Sequence, residues 1–116
     1  MRVLVCGGRN YRGLEPDQHV GMTLHDLHLQ RPIAALIEGG SSGADSTARH
    51  WAKSAGVRSV TVPADWHTHG KAAGPIRNQR MIDDFKPDLV LAFPGGRGTA
   101  DMVRRARAAG VEVREL

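Results

Sequence analysis

Cys6 is the only cysteine of the chain. An internal disulfide is thereby excluded, and so is a zinc knot built on cysteines. Aromatic residues make up only 4% of the sequence: Tyr11, Trp51, Trp66, Phe85 and Phe93. With so few large rings, the core has to be built from Val, Leu, Ile and Ala, which calls for close helix-to-sheet packing and small residues on helix faces. No run approaches the roughly 18 consecutive apolar residues of a spanning helix, and no apolar signal region opens the sequence, so a cytoplasmic protein without a membrane partner is expected. At 116 residues there is too little chain for two cores, and residues 1–116 are read as one domain. Hydrophobic residues at 41% and charged residues at 24% exclude disorder. The net charge of +4 favours an anionic partner without saying which. The densest basic cluster, Arg104, Arg105 and Arg107, reads as the solvated face of a helix.

Five short runs rich in β-branched residues read as strands: Val3 to Cys6, Ile33 to Ile37, Val57 to Val62, Leu89 to Phe93 and Val111 to Val113. Helical periodicity fills the intervals. Val20, Leu24 and Leu27 suggest a helix after Pro16, and Ala44, Ala48, Trp51, Ala52 and Ala55 share one helical face. Ile76 to Phe85 reads as a helix opened by Pro75, and Thr99, Val103, Ala106 and Gly110 mark a last one. Strand and helix in alternation predict an α/β domain of three layers with a mainly parallel five-stranded sheet. The first, second and fourth runs are apolar on both alternations and belong in its centre, whereas the last alternates and belongs at an edge. Pro63 to Gly74 looks like the one overlong connection.

Glycine concentrates directly after strands, at Gly7-Gly8-Arg9-Asn10, Gly39-Gly40-Ser41-Ser42-Gly43 and Pro94-Gly95-Gly96-Arg97-Gly98-Thr99. In an open parallel sheet those strand ends share one edge, where ligands bind. Glycine lets backbone N–H groups approach an anion, and a helix start adds unpaired donors and partial positive charge. Gly40 to Gly43 and Gly95 to Thr99 are the candidate phosphate cradles. Neither matches a P-loop or G-x-G-x-x-G.

Those glycine stretches, with Ala64-Asp65-Trp66 and Gly70-Lys71-Ala72-Ala73-Gly74-Pro75-Ile76-Arg77-Asn78, resemble the YspA-type branch of the SLOG superfamily, whose other members include LOG phosphoribohydrolases, DprA proteins and molybdenum-cofactor carriers. The resemblance implies a Rossmann-like nucleotide-binding fold. It implies a ligand that is a nucleotide or nucleotide derivative such as ADP-ribose, sensed or processed, with no further cofactor required. It also implies self-association, a symmetric dimer being the expected form. LOG enzymes carry a Glu three residues beyond the Thr of their Pro-Gly-Gly-x-Gly-Thr motif, where this chain has Met102, so the LOG activity is not carried over.

The nucleotide site is accordingly expected to draw on Gly7, Gly8, Arg9, Gly39, Gly40, Ser41, Gly43, Asp45, Lys71, Arg77, Asn78, Pro94, Gly95, Gly96, Gly98 and Thr99. Arg77, in the first turn of its helix, is expected to hold phosphate bidentately, and Asp45 and Asn78 to orient the sugar. Trp66 either stacks on a base or plugs the sheet edge, and the resemblance favours the rim of the site. Cys6 reads as a small hydrophobe. His25 with His28, or His67 with His69, are too few for a metal. Two alternatives stay open: a hydrolase of an N-glycosidic or phosphoester bond using Asp45, Asp65 or Asp101, and a DprA-like binder of single-stranded nucleic acid.

Overall fold

The computed structural model describes residues 1–11 and 14–116, with backbone alone for 14–17. Its strands are β1 (Arg2–Cys6), β2 (Ala35–Glu38), β3 (Arg58–Thr61), β4 (Leu89–Ala92) and β5 (Glu112–Glu115). Its helices are α1 (Leu14–Gln30), α2 (Ala44–Ala55), α3 (Trp66–His69), α4 (Ala73–Phe85) and α5 (Arg97–Ala108), with a 3₁₀ turn at Gly70–Ala72. All strand pairs are parallel, in the order β3-β2-β1-β4-β5. The apolar runs β1, β2 and β4 take the centre, and β3 and β5 the edges.

Side-chain alternation along the central strands feeds two separate cores. Val3 and Val5 of β1, Leu36 of β2 and Leu89 and Leu91 of β4 pack with Val20 and Leu24 of α1 and Ala44, Ala48 and Ala52 of α2. Leu4, Ile37 and Val90 point the other way, onto Met81 and Ile82 of α4 and Met102 and Ala106 of α5. The alanine stripe of α2 is what lets that helix lie close to the sheet. Ala55, the last member of the stripe, is exposed.

The stretch Pro63 to Gly74 is not a plain loop. It holds α3, the 3₁₀ turn and the start of α4, which begins two residues ahead of Pro75. Proline is tolerated there because N–H groups of a first helical turn have no intrahelical acceptor. The helix α1 likewise opens before Pro16.

The chain folds back tightly at the carboxyl end of β1. Gly43, which precedes α2, has φ 75° and ψ −128°, and a Cβ there would overlap the Gly8 carbonyl oxygen and lie 2.6 Å from the Arg9 carbonyl carbon. Both backbone conformation and space demand glycine. Gly43→Ala is expected to lower stability by roughly 2–4 kcal/mol in urea denaturation, combining backbone strain with overpacking; a loss under about 0.5 kcal/mol, the range of ordinary surface changes, would mean that the two loops are not in contact.

Candidate functional site

Strand order reverses between β1 and β4, which parts the following connections and opens a crevice at the carboxyl edge. A cavity of about 1040 Å³ lies there, and all the sequence-predicted site residues except Gly40, Gly43 and Gly95 line it. Its apolar base includes the buried Met81 and Met102.

The two candidate cradles differ. In the β2–α2 loop the donors turn inward: Gly39 and Ser41 donate their N–H groups to Asp45 Oδ2 (3.1 and 3.3 Å), and Gly40 donates to Glu38 Oε1 (2.7 Å). The first N–H of α2, that of Ala44, goes to the Gly8 carbonyl at 3.3 Å. The N–H groups of Gly40 and Ser41 are therefore spent on the protein's own carboxylates, and that of Ala44 on a backbone carbonyl, which leaves fewer donors here for an anion than the glycine content suggests. At α5 the donors are not taken up in this way. Gly96 caps the helix without a side-chain bond, the first backbone bond is Ala100 N–H to Gly96 O at 3.1 Å, and Arg97, Gly98 and Thr99 have no N–H acceptor among the described residues. Gly96, Arg97, Gly98 and Thr99 all line the cavity. Gly95 stays out of it because it is wedged against the first loop, where a Cβ would lie 2.7 Å from Gly8 N.

Arg77 sits in the second turn of α4, not the first, since that helix starts at Ala73. Its Nη1 donates to the Gly39 and Val62 carbonyls (2.8 and 3.4 Å) and its Nε to Asn78 Oδ1 at 3.0 Å. A bidentate phosphate grip is thereby replaced by a tie between the ends of β2 and β3, and only Nη2 is unengaged among the described residues. Burial draws the guanidinium below its usual pKa; the Asp45 charge opposes this and the Arg9 charge adds to it.

Asn78 is buried and spends both amide hydrogens on the protein, donating to Gly98 O (3.2 Å) and Asp101 Oδ2 (3.0 Å). It links α4 to α5 and has no hydrogen left for a sugar. Asp101 also accepts from Arg104 Nη2 and Arg105 Nε at 2.7 and 2.8 Å. Burial opposes its ionisation, but the bonds from Arg105 and Asn78 and the two arginine charges outweigh that and hold its pKa below the usual carboxylate range. The basic cluster of α5 is thus only partly a solvated face: Arg105 is a bridge from Asp101 to Gln79 Oε1 (3.1 Å), and Arg107 pairs with Glu115 at 2.9 Å.

Asp45 has a different environment. It is 6% exposed, its Oδ2 accepts the two loop N–H groups, and its Oδ1 has no hydrogen-bond partner. Burial, reinforced by the Glu38 charge, raises its pKa to about 6 against the bonds from Ser41 and Gly39 and the charge of Arg77. Cys6 lines the same cavity, and burial followed by the Asp45 charge pushes its thiol up to about 12, which leaves it uncharged and unreactive. Of the three carboxylates named for hydrolysis, Asp101 is consumed by its donors and Asp65 is the N-cap of α3, accepting from Thr68 N at 3.1 Å. Asp45 alone combines a cavity position with an unpaired oxygen.

Sequence reasoning passed over Glu38 and Tyr11. Glu38 is fully buried at the end of β2 and binds Arg49 Nη1 (2.8 Å), Gly40 N and Thr61 Oγ1. A charge closing a buried strand was its signal, since isolated buried carboxylates are rare. Tyr11 stacks on Phe93 with ring centroids 6.0 Å apart, bonds His19 Nδ1 at 2.7 Å and lines the cavity. His28 accepts from Ile33 N at 2.9 Å and so has a structural part. Among the described residues no three His, Cys, Asp or Glu side chains are grouped to hold a metal, and no helix is long and apolar enough to cross a membrane.

Comparison with known proteins bears on family and fold. Residues 1–69 match the family model described as YAcAr, the YspA, cpYpsA-related SLOG family. The gene 61 protein of Mycobacterium phage D29 is 37% identical over 120 residues, covering 97% of this chain and 93% of that protein. In three dimensions the chain is similar to the X-ray structure of TM1055, a Northeast Structural Genomics Consortium target, with a TM-score of 0.73 and 19% identity over 97% of this chain and 71% of that one. The structural likeness speaks for the fold alone.

The Asp45 carboxyl makes stability depend on pH in an unusual direction. Its folded pKa of about 6 lies above the ordinary value of 3.8, so the folded state holds the proton more tightly. Its contribution is present at low pH and is lost as pH rises from about 4 to above 6. The stability of the wild type relative to Asp45→Asn is expected to fall by on the order of 2–3 kcal/mol across that window in urea denaturation. A difference independent of pH would show that this carboxyl titrates normally.

Proposed function

The chain belongs to the YspA, cpYpsA-related SLOG family, and from that premise we propose that it binds a phosphate-bearing nucleotide or nucleotide derivative at the carboxyl edge of its sheet. One observation carries the reading: Arg97, Gly98 and Thr99, whose N–H groups have no acceptor among the described residues, all line the cavity. A helix N-terminus whose donors lack a protein partner stabilises an anion through hydrogen bonds and through the helix dipole. Arg9, Lys71 and Arg97 surround the same space with positive charge. The volume is at the upper end of the range for small-molecule sites.

A small ligand is favoured over a nucleic-acid strand. The arginines of α5 that would make a basic stripe, Arg104, Arg105 and Arg107, are paired with Asp101 and Glu115. A strand binder would lose affinity steeply with salt, in proportion to the phosphates neutralised, whereas a mononucleotide gives a shallow slope. Hydrolysis as in LOG enzymes is not part of the reading. Met102 is 1% exposed and packs among Leu4, Ile37 and Val90, so the position meant for a carboxylate beside a developing positive charge is apolar. Nucleoside monophosphates are expected to bind without release of ribose 5-phosphate.

Gly98 supplies the decisive variant. It has no neighbouring atom within 4 Å of where a Cβ would stand, so a side chain is accommodated by the fold and projects into open space beside the free N–H groups. Gly98 does not carry a positive φ, so the variant acts by filling space and not through backbone strain. Gly98→Val is expected to leave the melting temperature of the free protein within a few degrees and to weaken binding, measured by calorimetry against a panel of nucleoside mono- and diphosphates, by at least about tenfold, the equivalent of one lost charge-assisted contact. Undiminished affinity in a folded Gly98→Val protein would remove α5 from the site.

A further inference from the structure

Trp66 is 50% exposed, although an indole is among the most favourable groups to bury. It is not a loosely held side chain. It opens α3, a single turn that Asp65 caps by accepting from Thr68 N at 3.1 Å, and the Gly70 N–H closes the turn onto the Trp66 carbonyl. Its ring leans over the start of α4, where a Cβ on Gly74 would lie 3.4 Å from Trp66 Cη2. The Arg9 guanidinium carbon stands 5.9 Å from the indole centroid, and among the described residues that guanidinium has neither an ion pair nor a hydrogen bond. Both side chains line the same cavity as Arg97, Gly98 and Thr99 of α5.

We propose that Trp66 and Arg9 form the clamp for the flat aromatic base of the ligand, with the indole as the stacking platform and the guanidinium as its cationic cover. The inference rests on the nucleotide reading above and adds to it which end of the ligand lies where: phosphate at α5, base against α3. Stacked groups sit roughly 3.5 Å apart, so a base lying between indole and guanidinium needs about 7 Å. The observed 5.9 Å is short of that by about 1 Å, a displacement within reach of an exposed arginine stem that nothing else fastens. In the free protein the guanidinium occupies the indole face through a cation–π contact, which is weak at an exposed site and therefore displaceable. Every base offers a π-face, so this clamp selects nucleotides over sugar phosphates and discriminates little among bases.

The chain has only two tryptophans, which makes the test direct. Trp51 lies on α2 with its ring 5.6 Å from that of His28, away from the cavity. In Trp51→Phe protein all indole emission comes from Trp66. AMP, GMP, CMP, UMP and ribose 5-phosphate are titrated against it by calorimetry and fluorescence. The nucleotides that bind are expected to quench Trp66 in step with the heat, while ribose 5-phosphate binds more weakly and leaves the emission unchanged. Trp66→Leu is expected to weaken those nucleotides about five- to a hundredfold, the range of one base–aromatic stack, and to leave ribose 5-phosphate unaffected. Nucleotide binding without quenching, or with affinity equal to that of ribose 5-phosphate, overturns the clamp and leaves the nucleotide reading standing. Absence of heat with every nucleotide overturns both. Should Trp66→Leu fail to fold by circular dichroism, the quenching and the ribose 5-phosphate comparison in Trp51→Phe protein decide alone.

Discussion

The site depends on one steric constraint: the loop after β1 is held by the loops on either side of it at distances that leave no room for side chains. Gly8 donates its N–H to the Pro94 carbonyl at 2.8 Å and accepts from Ala44 N at 3.3 Å, while Ser42 Oγ donates to the Arg9 carbonyl at 2.8 Å. The parallel sheet supplies the reason these segments meet, because the three central strands end on one edge. Glycine at Gly43 and Gly95 then allows the close approach. One result is that the first N–H of α2 is taken by the Gly8 carbonyl, while the first N–H groups of α5 have no acceptor among the described residues. The asymmetry between two helix starts that look alike in sequence is thus a matter of which loop lies over which helix.

The electrostatics follow from the same packing. Asp45 is pulled beneath the β2–α2 loop to accept its N–H groups, and the burial this entails raises its pKa, while the buried Cys6 is raised by its own burial and then by the Asp45 charge. Arg77 is drawn in to satisfy the carbonyls at the ends of β2 and β3 and faces the Arg9 charge across the cavity. The anionic ligand proposed above would relieve the repulsion between the two guanidinium groups. The cationic lining is therefore partly structural in origin, a consequence of closing strand ends that would otherwise present unsatisfied carbonyls.

Much of this was legible in the sequence. Apolar runs such as Leu89 to Phe93 are long enough and β-branched enough to mark strands, and their two-sided apolarity marks the central ones. The density of glycine after strands marks the edge where the cavity lies. The partners of individual polar groups were not legible. Nothing local to Asn78 tells that its hydrogens go to Gly98 and Asp101, or that Arg105 reaches Gln79, because these bonds run between helices brought together only by the sheet. At the expected cradle of Gly40 to Gly43 the same holds: whether a loop's N–H groups face a ligand or a neighbouring carboxylate depends on the burial of Asp45 and Glu38, which take those of Gly39, Gly40 and Ser41, and glycine content is silent on it. The extra helix α3 was hidden because a four-residue turn is too short to show a period.

The central claim is that the open start of α5 is where phosphate is held. Amide chemical shifts of ¹⁵N-labelled protein, followed while inorganic phosphate and then a nucleoside monophosphate are added, address it directly. The account predicts that Arg97, Gly98 and Thr99 show the largest amide shifts with both titrants, and that the amides of Gly39, Gly40 and Ser41, already bonded to Asp45 and Glu38, respond little. Large shifts at Gly39 to Ser41 with none at Arg97 to Thr99 would contradict it and put the anion at the other helix.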